Sequence, residues 1–298
     1  MGGDPSNVNN ESVPRPYKFP RPQRRNWIAP LVLLAPMGLF LGILIVASLM
    51  ILRLSFGQRG AEETWTLQNY MALGQDLYLH SIFVTFKLAL LSTAIVVILG
   101  FPIAMFLVHT RSNLLRRLIM FVLLLPLLMN LLLQSYGWMI ILGPNGLINH
   151  YLKSLGLIDR PILLMYNEIG VLMGLVQMSF PLAVLPIASA LRGIPPSLEQ
   201  AATTLGANRL KVWRHIVLPL SLPGVIAGSL LVFGWTASAF VIPFLLGGGR
   251  VTMLAVLIRN QMGPFLDWPF GSANAVVLIV ITMVVQLTYQ RMTTKYLA

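Results

Sequence analysis

The chain has no cysteine, which excludes a disulfide framework and any thiolate metal site. Charge is scarce too: 10% of the 298 residues are Asp, Glu, Lys or Arg, against about 25% in a soluble domain. Acids are scarcest, nine against twenty-one bases, which leaves a formal net charge of +12. There is no Gly-Lys pair, and therefore no phosphate loop of the Gly-x-x-x-x-Gly-Lys kind. His80, His109, His150 and His215 are scattered, with neither metal-ligand nor catalytic spacing, and read as interfacial polar residues. No polar catalytic cluster is visible, so a catalytic site and a metal site are both absent from the expectation and an integral-membrane enzyme is disfavoured.

What the chain has instead is apolar length. Hydrophobic residues make up 56%. Six stretches are long enough to cross a bilayer, which takes about 20 residues: Asn26–Leu54, Ser81–Val108, Leu118–Leu142, Ile169–Leu191, Ser221–Leu246 and Ala273–Thr288. A spanning backbone must satisfy its own hydrogen bonds, so runs of this length read as helices and not as barrel strands. The expected fold class is an all-α membrane protein with six transmembrane helices. Residues 1–25, polar and rich in proline and arginine, are expected to be a flexible cytoplasmic tail before a membrane domain over 26–298. The first apolar run is too long for a cleaved signal.

Basic residues give an orientation. With the N-terminus inside, the cytoplasmic side receives the tail, the Arg111–Arg117 connection, the Arg192–Arg214 connection and the C-terminal end. These hold fourteen of the twenty-one bases, a positive-inside bias that places both termini in the cytoplasm. The charges flank spans and form no single patch, so they argue against nucleic-acid binding. Lys87, in the second span, lies about six residues from its outer limit and reads as snorkelling to headgroups.

One connection, residues 195–219, carries more information. Pro195 and Pro196 stop the fourth span, and Ser197 with Gln200 reads as a capping box. Leu198, Ala201, Ala202 and Leu205 fall at i, i+3, i+4 and i+7 on one apolar face. Gly206 can close the helix in a left-handed conformation. A basic amphipathic helix, Asn208 to Val217, follows with Leu210, Trp213 and Val217 on one side, and Pro219 breaks it. Periodicity alone leaves two uses open: a rigid docking element for another protein, or a helix lying on lipid headgroups.

Ala201, Ala202, Gly206, Ile216, Leu218 and Pro219 match, at the right spacing, the signature loop of binding-protein-dependent permeases, with Gln200 where the family's Glu stands and Glu199 just before it. The chain from about Trp27 onward resembles that family, the membrane subunits of ATP-driven importers. Asp267–Ala273 and Leu245–Gly248 are similar to the spermidine/putrescine-type subgroup, which also takes opines, aminophosphonates and other small polar solutes. The resemblance implies a type I importer permease in the inner membrane, not itself an enzyme. It implies a coupling helix in which Glu199, Gln200, Ala201, Ala202, Leu205, Gly206, Ile216, Leu218 and Pro219 contact an ATPase dimer. The chain itself would bind no cofactor; ATP and Mg belong to that ATPase. The other implied partners are a second permease copy or homologue, a periplasmic or lipid-anchored solute-binding protein, and membrane lipid.

Trp235, Thr236, Ser238 and Phe240 of the fifth span are candidates for the pathway lining, and Gly234, Ala237, Ser238 and Ala239 permit close helix packing. Pro243 is expected to kink this span. Phe244 stands where polyamine permeases often have an acid. The loops Gly143–Asn167 and 263–272 would face the periplasm and the binding protein. An ion-coupled secondary transporter is the rival from another class. It would need intramembrane carboxylates, and Glu168 and Asp267 lie only at span ends.

Overall fold

The computed structural model describes residues 28–60 and 64–297, so the expected tail over 1–25 lies outside the described residues. The chain divides into two units at Ser48/Leu49. The first contains most of α1 (Ile28–Ser55), a single apolar helix. In the second, α1 ends at Ser55, whose hydroxyl meets the Tyr70 phenol at 2.7 Å and whose carbonyl accepts from Asn69 of α2 (Gln68–Ala72).

Among the described residues, six helical stretches are long and apolar enough to cross a membrane. Three of them form the centre: α3 (Asp76–His109), α7 (Glu168–Arg192) and α10 (Leu218–Ala237). α3 and α7 run the same way, since Lys87 meets Glu168 at one end while Gly100 lies against Val184 further along. α10 runs opposite, with Gly224 against Pro186 and Ala190 and Gly228 against Ala183. A Cβ built on Gly224 would stand 2.5 Å from the Ala190 methyl and 2.6 Å from the Pro186 carbonyl. Small residues thus set the helix separation, as expected where lipid removes any hydrophobic drive for association.

Two clusters fill this centre. At the end where α3 and α7 finish, here the loop end, Leu107, Ile187, Leu191, Val212 and Val217 pack together. At the far end, Val84, Leu88, Val171, Leu175, Ile242 and Leu246 do so.

The third span differs from expectation. It is two helices, α4 (Asn113–Leu128) and α5 (Leu131–Leu142), parted at Met129 and Asn130, and it takes in Arg116 and Arg117. Asn130 caps α5 by accepting from Leu132 N, offering the chain an alternative to unbroken helix. Buried Gln134 repairs the damage, its amide donating to the Pro126 carbonyl at 2.6 Å and the Met129 carbonyl at 3.1 Å. The apolar stretch continues through a Gly143–Gly146 turn into α6 (Leu147–Ser154). α6 is polar on one side and lies beyond that turn; α4 and α5 measure roughly 24 and 18 Å at 1.5 Å per residue.

The fifth span also differs. The helix stops at Ala237, residues 238–240 belong to no helix, and α11 (Val241–Gly247) begins anew. Pro243 sits in the first turn of α11, where no intrahelical N–H is required, so it kinks nothing. α12 (Leu254–Met262) is pinned to α3 by Thr85, whose hydroxyl accepts from Leu254 N at 2.8 Å. Asp267 caps α13 (Trp268–Leu297) by accepting from Phe270 N, and Phe270 meets Tyr78 edge-on at 5.0 Å.

Candidate coupling and pathway site

The connection at the loop end folds as α8 (Pro196–Thr204), α9 (Arg209–Val212) and one π-helical turn, Trp213–Val217, which runs directly into α10. Two local expectations are corrected. The helix starts at Pro196, with Pro195 at the N-cap and no side-chain cap, so Ser197 and Gln200 form no capping box. Proline forces its predecessor into extended geometry and presets its own φ for the first helical position; that outweighs Ser197. Nor does Pro219 break the second helix. It lacks the N–H for the His215 carbonyl, and the wider turn just before it absorbs the defect without interrupting the rod.

Gly206 behaves as read. Its φ is +85°, its N–H donates to the Thr203 carbonyl, and Ala207 N donates to the Ala202 carbonyl, both at 3.0 Å. This paired 5→2 and 6→1 closure is a Schellman motif. Nothing lies within 4 Å of the Cβ position of Gly206, so backbone conformation alone demands glycine here.

The expected single apolar face separates into two. Ala202, Ala207, Trp213, Ile216 and Leu218 pack inward against the loop-end cluster, around buried Val212 and Val217. The Trp213 indole meets Phe101 edge-on at 6.1 Å and donates to the Met105 sulfur at 3.2 Å. Leu198, Ala201, Leu205 and Leu210 stay exposed, Leu205 at 88%, so Leu210 does not share the side of Trp213 and Val217. Gln200, Gly206 and Pro219 are exposed as well. Glu199 turns inward, its carboxylate 4.0 Å from the imidazole of His109, which ends α3.

Of the pathway candidates, Trp235, Ser238 and Phe240 are exposed at or beside the break in the fifth span. Thr236 is not among them. It is fully buried, its hydroxyl donating to the Val232 and Phe233 carbonyls. Gly234 gives room to the Gln286 amide of α13, which donates to the Leu230 carbonyl. Phe244 lies under the Arg259 guanidinium, 4.7 Å from the ring centroid. A cavity of about 880 Å³ among α3, α4, α5 and α7 is lined mainly by apolar groups such as Phe106, Leu123 and Phe180. Its composition suits acyl chains better than a polar solute.

Three further contacts were not read from the sequence. Lys87, expected to snorkel to headgroups, is instead paired, its ammonium donating to the Glu168 carboxylate at 2.5 Å; the residues are 81 apart in sequence and no local pattern announces the pair. Buried Asn149 donates to the Gly143 and Ile162 carbonyls and accepts from Ile162 N, pinning the Gly143–Asn167 loop. Gln134 bridges the α4–α5 break, which Asn130 after Pro126 could have signalled.

Residues 96–296 match the family described as the binding-protein-dependent transport system inner membrane component. The Escherichia coli (strain K12) spermidine/putrescine transport system permease protein PotB is 34% identical over 248 residues, 82% of this chain and 90% of that protein. Its Haemophilus influenzae namesake is 32% identical over 83% of this chain and 87% of that protein. Among solved structures, a bacterial transporter importing the acidic polysaccharide alginate superposes with a TM-score of 0.78 at 18% identity, covering 91% of this chain and 96% of that one. The MetNI methionine transporter superposes at 0.56 and 17% identity, covering 74% and 95%. Both show the fold alone. The signature loop of 195–219 falls inside the matched region, on six helical stretches fit to cross a membrane. The chain therefore belongs to the binding-protein-dependent transport system inner membrane components, as a multi-pass ABC importer permease that is a transport subunit and not an enzyme.

Proposed function

We propose that this permease forms half of an alternating-access pathway for a small amine, a polyamine being the leading cargo, with both termini in the cytoplasm. The observation that carries the coupling role is the outward face of α8 and α9. Leu198, Ala201, Leu205 and Leu210 are exposed on a loop beyond the spans, where a headgroup-lying helix would keep Arg209, Lys211 and Arg214 on the opposite side from its apolar residues. Instead the inward-facing residues anchor the loop to α3, α7 and α10 while the other apolar residues await a protein. That protein is an ATPase dimer, which holds ATP and Mg. Its motion reaches the spans through Trp213 and Ile216. A second permease, homologous or identical, lines the other half, and a solute-binding protein docks on the far-end loops, Gly143–Asn167 and 263–272. The cargo class is supported by the names of the 32–34% identical relatives.

A second cargo reading has one observation behind it. Arg259 stacks on Phe244 with Asn260 as its polar neighbour, and a guanidinium at the far end favours a solute that carries an acid beside its amine, such as an opine or aminophosphonate. The test is uptake into vesicles holding the chain, its ATPase and its binding protein. ATP-dependent accumulation of radiolabelled putrescine or spermidine is expected. Uptake confined to acid-bearing amines would favour the second reading, and accumulation driven by an ion gradient without ATP would reject the importer.

Orientation has its own test. The chain lacks cysteine, so single-cysteine variants give labelling without background. A thiol reagent that does not cross the membrane, added outside, is expected to label Lys153→Cys and leave Leu205→Cys unlabelled until the membrane is opened. The reverse pattern would invert the topology.

A further inference from the structure

The Lys87–Glu168 pair has no part in the coupling loop or in the pathway residues already discussed. Among the described residues only five are acidic: Asp76, Asp159, Glu168, Glu199 and Asp267. Asp267 caps α13 and Glu199 lies at the loop end against His109. Glu168 alone of these carboxylates holds a lysine ammonium, at 2.5 Å, and both side chains remain more than a third exposed, 37% and 39%. Phe83 and Leu90, one turn either side of Lys87 on α3, are exposed. The pair therefore opens outward from the bundle at its far end.

A lysine side chain is a primary ammonium on a tetramethylene arm. It is the same aminobutyl group that ends putrescine and one arm of spermidine. The structure thus displays a carboxylate already complexed with one arm of an amine of the proposed class, with the exposed apolar side chains of Phe83 and Leu90 beside the lysine available to methylene groups. An ion pair this exposed is weakly held, and the freed lysine can reach headgroup phosphates. We infer that Glu168 is a cargo-recognition carboxylate for a primary alkylammonium, and that Lys87 is its resting, exchangeable occupant. This rests on the amine reading and supplies the negative charge that Phe244 does not.

The experiment is putrescine uptake by the complete reconstituted importer, with ATP hydrolysis measured in parallel. Glu168→Gln is expected to lower the uptake rate at least tenfold while the complex still assembles and hydrolyses ATP, so that ATP consumed per putrescine rises. Lys87→Met, which keeps the arm and removes the charge, is expected to keep or raise uptake at low putrescine, by twofold or more. The opposite signs are the point, because a merely structural ion pair makes the two variants equally poor and the exchanged pair Lys87→Glu with Glu168→Lys active. Equal losses with recovery in the exchanged pair would overturn the inference, as would unchanged uptake in Glu168→Gln. If the unaltered importer moves neither putrescine nor spermidine, the amine reading itself fails, a result separable from both.

Discussion

Gly206→Val should leave the permease inserted and folded yet reduce transport by more than tenfold. The glycine sits at φ +85° with open space around its Cβ position, so the substitution clashes with nothing. It costs roughly 1–2 kcal/mol because an L-residue, and a β-branched one most of all, resists left-handed geometry. That strain falls on the two hydrogen bonds closing α8, and the cheapest relief is to unwind the last turn, which carries Ala201 and Leu205. Yield and thermal midpoint in detergent should barely change. ATP hydrolysis should cease to respond to the loaded binding protein, or the ATPase should be lost on purification. Gly206→Asn should be milder, since asparagine tolerates this region. Ala201→Asp, on the exposed side, should copy the valine phenotype by burying a charge in the interface. Normal transport by both Gly206→Val and Ala201→Asp would mean that the loop only rests on lipid.

Gly224→Leu should instead destroy the fold. Even a single added carbon would approach the Pro186 carbonyl to 2.6 Å and the Ala190 methyl to 2.5 Å, and neither is the flexible end of a long side chain. Helices α7 and α10 would have to part, opening the loop-end cluster on both sides. Overpacking of this kind costs about 3 kcal/mol. Little monodisperse protein should be recovered in detergent, and the thermal midpoint of what remains should fall by many degrees. Gly234→Ala makes a useful contrast, because its obstruction is the Gln286 amide, a movable group, so a much smaller shift is expected. Equal recovery of Gly224→Leu and the unaltered chain would show that the two helices can separate without penalty.

The spans were legible because twenty apolar residues in a row have few uses other than crossing a bilayer. The signature loop was legible because its spacing, Gly206 above all, records a backbone conformation. Illegible features came from competition between neighbours or from contacts distant in sequence. At 195–197 the chain offers two consecutive prolines and a serine as starts for α8, and the preset φ of Pro196 prevails over the hydroxyl of Ser197. At 129–130 one asparagine in an apolar run looks incidental until Gln134 is seen holding the freed carbonyls. Thr236 looked like a lining residue by composition, but its hydroxyl is spent on its own helix. The Lys87–Glu168 pair needed the parallel register of α3 and α7, which no local pattern contains.

The π-helical turn at Trp213–Val217 also bears on how chain length can vary within this region. Such a turn holds one residue more than an α-helix of the same length would need. Removing a single residue between Arg209 and Pro219 can therefore convert the turn to regular helix and leave both flanks in register, at the cost of the slack that accommodates Pro219. Adding one has no such outlet and must rotate everything on one side of the turn by about 100°, one residue's share of a 3.6-residue turn. Insertions and deletions are thus not equivalent here: the segment already contains its insertion, and natural length differences at this point should run towards shorter chains.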